Sequence, residues 1–317
     1  MLDRISEIIH RYRSFLITAH VRPDGDALGS ELALYHVLRN LGKEALIFNQ
    51  DKTPENYEFL PGSGDIVNEL SDPGKYEVVF VLDCSDLERI GEPAAIIGEM
   101  PLIVNIDHHI SNVGVWEVAY IDRDASSTGE MIYRLIRRLG VRITPEIANN
   151  LFGAIMTDTG GFRYGSTQSE TLHTAGHLVE NGANPQWLSE NIYENNPLSK
   201  TLLLCKALEA LSLELDGRVA SMVVSIESLV ATGAKSEYIE GFVDLPRTIK
   251  GVVVSIVYLE LERGHYKLSL RSKGRVNVEQ VARRFGGGGH LNAAACKIRG
   301  ELGDVKRQVV EAIRAVL

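Results

Sequence analysis

The chain has few cysteines and no apolar stretch long enough to span a membrane. Its 317 residues include only Cys84, Cys205 and Cys296, which are odd in number and far apart. This usage is typical of a reducing compartment and argues against a disulfide framework. The lack of a membrane-length apolar run argues against a transmembrane segment. Residues 1–7 resemble an amphipathic helix and not a signal peptide, so the sequence predicts a cytoplasmic protein.

The chain also lacks the broad excess of basic residues that a protein binding long duplexes would need. The net charge is −9. Residues 1–200 carry 16 basic and 29 acidic side chains, whereas residues 201–317 carry 17 and 13. From Arg263 to Arg299 there are nine basic residues and one acidic residue, Glu279. We therefore expect a small anionic substrate, with metals bound by the acidic half and phosphate bound near the basic segment. Arg283 and Arg284 are expected to lie on a solvated helix face.

Acidic residues and histidines form four clusters in the first half of the chain, each predicted at the end of a strand. The clusters are His20, Asp24 and Asp26; Asp83; Asp107, His108 and His109; and Asp158. Carboxylates and imidazoles that converge from several strand ends are what a two-metal hydrolytic site needs. Hard oxygen ligands mixed with imidazoles suit Mn²⁺ or a similar first-row divalent ion, and the absence of a thiolate argues against zinc–sulfur chemistry.

Each cluster has a plainer explanation when it is taken alone. A single histidine at a strand end is more often a core or turn residue, Asp83 could cap a helix, and Asp158 could belong to a turn. Asp86 is the better candidate for a capping role. Three ligand residues within positions 20–26, and the charges of residues 107–109 after an apolar strand, are harder to explain without cations. The four clusters together favour a metal site.

Strands and helices alternate through the first half of the chain. The predicted strands are 15–19, 45–48, 78–82 and 102–106. The predicted helices are 27–40, 126–139 and one that starts at Pro145 and leads towards Asp158. Continuous apolar strands are typical of a parallel sheet that is covered on both faces. The pattern predicts a doubly wound, largely parallel α/β domain, whose ligands bind beyond the carboxyl ends of the strands.

A polar segment near residues 191–197 precedes a second, smaller α/β domain with a mixed sheet. Its predicted strands are 218–226, 251–261 and 266–271, and its predicted helices are 198–212, 278–285 and 305–317. The sequence predicts a first domain over residues 1–187, a linker over 188–200 and a second domain over 201–317.

These motifs resemble those of the DHH/DHHA1 phosphoesterase superfamily, which is named for its Asp-His-His triplet, here residues 107–109. The resemblance covers nearly the whole chain and is strongest with the compact oligoribonuclease and pAp-phosphatase branch (nano-RNase, NrnA-like). In the second half, the resemblance depends first on a run of four glycines that precedes His290, namely Gly286, Gly287, Gly288 and Gly289. It depends also on residues 241–244, 269–272 and 292–295. After an amphipathic helix and before His290, the glycine run favours a phosphate cradle over a flexible loop, because bare backbone N–H groups can approach an anion.

The resemblance implies a set of metal ligands. One divalent ion is expected on His20, Asp24 and Asp83, and the other on Asp26, Asp83, His108 and Asp158, with Asp83 as the bridge. The two ions would lie roughly 3.5–4 Å apart. Asp107 is expected to orient an imidazole. His109 is expected to contact the scissile phosphate, and its part in protonating the leaving oxygen stays open.

The resemblance also implies a substrate-binding surface on the second domain, facing the metals across an interdomain cleft. Arg271, Ser272 and His290, with the glycine run, are expected to bind a terminal phosphate or the base-side nucleotide. Arg163 is a further candidate for a phosphate contact, although a surface role is the plainer reading.

The implied activity is metal-dependent hydrolysis of a phosphoester in a short nucleotide. The expected substrates are short single-stranded oligoribonucleotides, giving 5′-mononucleotides, and 3′-phosphoadenosine 5′-phosphate (pAp), giving AMP and phosphate. The alternatives are a cyclic-di-AMP or pApA phosphodiesterase and a non-catalytic nucleotide-binding protein, and the intact ligand set argues against the second. Mn²⁺ is the expected metal, with Mg²⁺ and Co²⁺ as alternatives, and a homodimer is common in this branch.

Overall fold

The computed structural model describes residues 1–114 and 116–317, apart from the side chain of His290. The chain divides into two compact units, Met1–Asn195 and Asn196–Leu317. Each unit has a six-stranded sheet. Among the described helices, none has both the length and the apolarity needed to cross a bilayer.

The first unit contains a parallel sheet. Its strands are β1 (Ser14–Thr18), β2 (Glu44–Phe48), β3 (Ile66–Val67), β4 (Val78–Leu82), β5 (Ile103–Asp107) and β6 (Val118–Ile121). They lie in the order β3-β2-β1-β4-β5-β6, and all neighbouring strands are parallel. This is the order of a doubly wound sheet, and it reverses direction between β1 and β4. The predicted fold of this unit is confirmed.

Helices connect and cover these strands. They are α1 (Leu2–Arg11), α2 (Gly25–Asn40), α3 (Ala94–Gly98), α4 (Thr128–Leu139), α5 (Pro145–Asp158), α6 (Ser169–Glu180) and α7 (Pro185–Ser189). Local chemistry fixes several of their ends. The carboxylate of Asp24 accepts hydrogen bonds from the first backbone N–H groups of α2, and the hydroxyl of Ser127 does the same for α4. Pro145 occupies the first turn of α5, where no N–H is needed.

The core of this unit holds the central strands from both sides. Every residue of β1 and β4 is buried. Phe15 and Phe80 pack on the face covered by α2 and α5, whereas Leu16 and Val79 pack on the opposite face. Each such side chain contributes roughly 1.5–3 kcal/mol through burial. The loops that follow β1 and β4 therefore start from rigid supports.

The prediction that Asp158 follows a strand is wrong, because Asp158 is the last residue of helix α5. Residues 147–156 of this helix are all buried, so its sequence shows no clear polar face. The helix ends where Gly160 and Gly161 adopt positive φ values of 59° and 72°. It packs tightly on α2, since a Cβ at Gly29 would overlap the carbonyl oxygen of Asn150. A helix, and not a strand, thus brings the fourth cluster to the site.

The second unit contains the predicted mixed sheet. Its strands are β7 (Ser212–Glu214), β8 (Val219–Val224), β9 (Val254–Glu262), β10 (His265–Ser272), β11 (Gly288–His290) and β12 (Ala293–Arg299). They lie in the order β11-β12-β10-β9-β8-β7, and the β8–β9 pair is parallel while the others are antiparallel. Its helices are α8 (Leu198–Glu209), α9 (Ile226–Thr232), α10 (Asp244–Arg247), α11 (Val278–Arg284) and α12 (Leu302–Arg314). Apolar clusters cover both faces of this sheet.

The glycine run is partly strand rather than loop. Gly288 and Gly289 belong to the edge strand β11, which pairs with β12. A Cβ at Gly287 would overlap the carbonyl oxygen of Ala295, and a Cβ at Gly289 would overlap that of Ala293. Glycine is needed at these two positions because the backbone of β12 comes so close. Gly286 and Gly288 have open space where a Cβ would lie.

Candidate metal centre

The candidate site lies where the sheet of the first unit reverses direction. His20 comes two residues after β1, Asp83 comes directly after β4, and Asp107 is the last residue of β5. These strands are neighbours and parallel, so their carboxyl ends share one edge of the sheet. Ligands of doubly wound sheets bind at this edge, beside the reversal of strand order.

The predicted ligand residues are brought together. Among the described residues, three groups of side chains offer ligand atoms that all lie within 4.8 Å of one another. The groups are His20, Asp24 and Asp83; Asp26, His108 and Asp158; and Asp83, His108 and His109. Asp83 Oδ2 lies 3.4 Å from His20 Nε2, while Asp83 Oδ1 lies 3.5 Å from His108 Nε2. The two oxygens of Asp83 therefore face different groups.

Two of the three histidines in these groups, His20 and His108, are oriented by backbone carbonyls. His20 Nδ1 lies 2.9 Å from the carbonyl oxygen of Val21, and His108 Nδ1 lies 3.3 Å from that of Ala125. A carbonyl can only accept, so Nδ1 carries a hydrogen and Nε2 is left to face the carboxylates. Metal-ligating histidines usually donate their other N–H in this way. The orientation of both rings therefore fits a metal site.

The start of α4 holds two of the carboxylates. Asp26 is buried, and its two oxygens accept hydrogen bonds from the backbone N–H groups of Thr128 (2.7 Å) and Gly129 (2.8 Å). The Thr128 hydroxyl donates to Asp83 Oδ1 over 2.9 Å. A helix start favours negative charge because its N–H groups lack partners within the helix. Thr128 was not among the predicted site residues, although its position after Ser126 and Ser127 marks a helix start.

The carboxylates are crowded enough to disturb one another. Burial and the charges of Asp83 and Asp158 raise the pKa of Asp26 well above its usual range. Burial opposes the ionisation of Asp83, but nearby imidazoles, His109 first, hold its pKa well below its usual range. Burial also opposes protonation of His20, yet its hydrogen bond with Asp83 and the nearby carboxylates raise its pKa to about 9. Divalent cations relieve such repulsion, and this set of oxygen and imidazole donors fits them.

Asp107 faces His109 and not the other carboxylates. It is fully buried, and its Oδ1 lies 2.7 Å from His109 Nδ1 and accepts the backbone N–H of His109 over 3.2 Å. Burial opposes protonation of His109, but the charge of Asp83 and the hydrogen bond with Asp107 raise its pKa. The ring of His109 is thereby fixed beside Asp83, with Nδ1 and Oδ1 3.5 Å apart.

A buried polar pair behind His20 was also missing from the prediction. Glu31 on α2 is fully buried and accepts a hydrogen bond from the amide of Asn49 over 2.8 Å. The Asn49 oxygen in turn accepts the backbone N–H of Ala19 over 3.3 Å. Burial raises the pKa of Glu31 to about 8. Its sequence signal was a glutamate within an otherwise apolar stretch of α2.

Two of the expected substrate positions of the second unit are neighbours in the sheet, and the third, Ser272, is set apart from them. Arg271 pairs with Ala293, which pairs with His290, so the backbones of positions 271 and 290 share one row across three strands. Ser272 points to the opposite face, because side chains alternate along a strand. It is buried, and its hydroxyl donates to the carbonyl oxygen of Val276 and accepts from the amide of Asn292. The side chain of His290 lies outside the described residues.

Arg163, the further candidate for a phosphate contact, lies on the loop after α5. Its side chain is exposed and donates to the carbonyl oxygen of Gly160 over 2.5 Å. This contact is local to the loop and indicates no anion site.

Comparison with known proteins identifies the family of both halves of the chain. Residues 14–157 match the DHH family, N-terminal domain, and residues 218–317 match the DHHA1 domain. The bifunctional oligoribonuclease and PAP phosphatase NrnA of Thermus thermophilus is 33% identical over 305 residues, which cover 95% of this chain and 89% of that protein. Its counterpart in Bacillus subtilis is 28% identical over 94% of this chain and 93% of its own length.

A solved structure shows the same fold over nearly the full length. The crystal structure of an exopolyphosphatase-related protein from Bacteroides fragilis superposes with a TM-score of 0.92 at 30% sequence identity. The match covers 99% of this chain and 95% of that one. The strand order and the clustered aspartates and histidines are in keeping with these similarities. The chain belongs to the DHH family and carries a DHHA1 domain in its second half.

Proposed function

We propose that this protein is a divalent-metal-dependent phosphoesterase that hydrolyses short oligoribonucleotides to 5′-mononucleotides and pAp to AMP and phosphate. The observation that carries the proposal is the pair of ligand groups that meet at Asp83. The substrate class is supported by the relatives named bifunctional oligoribonuclease and PAP phosphatase, which align over nearly the whole chain. The same proposal places the protein in the cytoplasm, in keeping with three unpaired cysteines, and allows a homodimer.

The proposed ligands of the two ions are His20, Asp24 and Asp83 for one, and Asp26, Asp83, His108 and Asp158 for the other. Mn²⁺ is the first choice, with Mg²⁺ and Co²⁺ as alternatives, because the donors are carboxylate oxygens and imidazole nitrogens. When bound, such ions activate water and offset the charge that develops on the phosphate. The carboxylate of Asp83 serves both groups, so its loss should affect the whole centre.

The proposed role of His109 is to contact the scissile phosphate. Asp107 holds the ring through Nδ1, and the charge of Asp83 and the hydrogen bond with Asp107 raise the pKa of His109, which stabilises its protonated form. A protonated imidazole beside the cluster attracts an anionic phosphate, and a charge-assisted hydrogen bond of this kind contributes about 1.5–3 kcal/mol.

The second unit is proposed to bind the rest of the substrate through Arg271, His290 and the run Gly286–Gly289. Positions 271 and 290 share one row of the sheet, and the charged residues from Arg263 to Arg299 are nine basic residues and one acidic residue. Ser272 takes part through the turn that it stabilises beside Arg271. In this proposal residues 1–187 form the catalytic domain, residues 188–200 a linker and residues 201–317 the substrate-binding domain.

A substrate panel tests the proposed function. Purified protein with Mn²⁺ is incubated in parallel with pApA, pAp, cyclic-di-AMP and pyrophosphate, and the products are separated by chromatography. We expect AMP from pApA and from pAp, and no turnover in EDTA. Cleavage of cyclic-di-AMP or of pApA alone would favour the phosphodiesterase alternative. Nucleotide binding without turnover of any of the four would favour a non-catalytic binding protein.

A further inference from the structure

Two buried asparagines connect the loops that carry Asp83 and His109. The first, Asn105, lies on β5, and its amide nitrogen donates to the carbonyl oxygens of Val81 and Cys84, both over 3.0 Å. These carbonyls lie on either side of Asp83. The backbone of Asp83 has a φ of 52°, in the left-handed region that few residues other than glycine adopt. Asn105 therefore holds a strained turn at the residue that faces both ligand groups.

The second asparagine, Asn112, continues the connection. Its amide nitrogen donates to the side-chain oxygen of Asn105 over 2.9 Å and to Asp107 Oδ2 over 2.7 Å. Its own oxygen accepts the backbone N–H of Gly114 over 2.9 Å. Both asparagines are fully buried, and every polar atom of both side chains has a partner. No donor or acceptor is left over in this pair.

The orientation of both amides follows from their partners. Two backbone carbonyls can only accept, so the nitrogen of Asn105 must face them and its oxygen must face Asn112. Asn112 then donates one hydrogen to that oxygen and the other to Asp107. An aspartate at either position could not make these bonds, and a leucine would leave the carbonyls or Asp107 without a donor. The chemistry therefore calls for an amide at both positions.

We propose that Asn105 and Asn112 are positioning residues that fix Asp83 and the Asp107–His109 pair relative to each other. One hydrogen-bonded chain runs from the turn at Asp83 through the two amides to Asp107 and the ring of His109. The inference rests on the proposed function, because it assigns Asp83 to the metals and His109 to the phosphate. It implies that loss of Asn112 loosens His109 alone, whereas loss of Asn105 loosens Asp83 as well.

The test uses full-length protein loaded with Mn²⁺, with pApA as substrate. We expect Asn112→Ala to lower kcat by about tenfold to a hundredfold, as loss of a residue that orients a ligand usually does. Its Mn²⁺ affinity, measured by titration calorimetry, should stay within about twofold, since the metal ligands are not touched. Asn105→Ala should lower both kcat and the affinity for Mn²⁺. If Asn112→Ala does not fold, Asn112→Ser keeps one hydroxyl donor and is measured instead.

A matched control separates positioning from stability. Asn149 is also a buried amide, and it donates to the carbonyl oxygens of Pro145 and Gly182 and accepts the N–H of Asn184. It lies nine residues before Asp158 on α5, or roughly 13 Å along the helix. Asn149→Ala should therefore lower the melting temperature but leave kcat and Mn²⁺ affinity unchanged.

A double-mutant cycle supplies the decisive readout. If Asn112 acts through His109, Asn112→Ala should cause no further loss of kcat once His109 is alanine, because coupled residues are not additive. Additive losses, or an Asn112→Ala protein that behaves like Asn149→Ala, would overturn the inference. If wild-type protein cleaves none of the nucleotides, the proposed function fails separately. In that case the Mn²⁺ affinities of the variants test the inference. A loss of affinity confined to Asn105→Ala supports the proposal that Asn105 positions Asp83, and an unchanged affinity in this variant overturns the proposal.

Discussion

At the scale of single residues, Asp83 combines an unusual backbone with a shared carboxylate. Asparagine tolerates the left-handed conformation and can still accept the hydrogen bond from Thr128, whereas alanine would strain the backbone by roughly 1–2 kcal/mol. Asp83→Asn should thus fold like wild type, but its Mn²⁺-dependent turnover should fall by at least about a hundredfold. This loss exceeds the one expected when a residue that only orients a metal ligand is replaced. The measurements are thermal unfolding, Mn²⁺ titration and kinetics with pApA. Substantial turnover in the folded variant would refute the two-ion scheme.

Glu31 should make the stability of the protein depend on pH. Its pKa is about 8 in the folded protein against 4.5 for an ordinary glutamate, because it is buried. The folded state therefore holds this proton more tightly, and the resulting stability is full below pH 4.5 and is lost as the pH rises to 8. The loss is up to about 1.4 kcal/mol per pH unit.

Glu31→Gln separates this effect from all other titrations. Glutamine does not ionise in this range and still offers an oxygen to the amide of Asn49. The free energy of unfolding of the variant, measured relative to that of wild type, should therefore increase as the pH rises from 4.5 to 8. Urea unfolding of both proteins in EDTA at pH 5, 6, 7 and 8 measures the difference. A constant difference at all four values would contradict the raised pKa.

The sequence was informative for residues whose chemistry is rare at strand ends. His20, Asp24 and Asp26 stand out because three side chains of the types that bind metals crowd one turn. The predicted capping role of Asp86 is confirmed by its bond to the N–H of Arg89. Asn105 could not be recognised in the same way. A neutral amide within an apolar strand leaves no charge pattern, and its partners become neighbours only when the strands pair.

At the scale of helices and strands, the type of each element was easier to predict than the residues at which it begins and ends. The apolar runs predict β1, β4 and β5 to within one residue, because strands buried on both faces need continuous apolar sequence. Helix α5 was recognised at Pro145, but Asp158 at its end was misplaced at a strand. A helix that is buried all round shows no face from which its end can be read.

The glycine run allows a direct test of strand against cradle. Gly287→Ala should lower the free energy of unfolding by about 1–3 kcal/mol, because its Cβ would overlap the backbone of β12 at Ala295. Gly288→Ala is the matched control, since its Cβ would point into open space and should change stability by less than about 0.5 kcal/mol. Urea unfolding measures both. Equal stability losses would show that the pairing of β11 with β12 does not impose the requirement.

The same pair of variants informs on phosphate binding. A cradle made of bare N–H groups predicts that Gly288→Ala raises KM for pApA although its stability is normal. Wild-type KM in Gly288→Ala would limit the role of this glycine to leaving room beside the strand.

At the scale of the whole molecule, the order of elements along the chain determined how much could be foreseen. Alternation of strands and helices in the first half leaves few topologies, because crossovers between parallel strands are right-handed. The second half offered strands and helices without such a rule, so the mixed sheet was predicted but not the parallel pairing of β8 with β9. That pairing depends on contacts between segments about 30 residues apart, which local sequence does not record.

The two units are expected to have different roles, with metal binding in the first and substrate binding in the second. All proposed metal ligands lie before residue 160, whereas Arg271 lies in the second unit. Arg271→Ala should therefore leave Mn²⁺ affinity unchanged and raise KM for pApA by about tenfold or more, at about 1.4 kcal/mol per decade. If the contact is equally strong in ground and transition states, kcat should change little. Arg299→Ala is the matched control, because it removes the same charge opposite His265, roughly 20 Å from Arg271 along β10. Steady-state kinetics that give a wild-type KM for Arg271→Ala, or the same rise for both variants, would show that this row of the sheet does not bind the substrate.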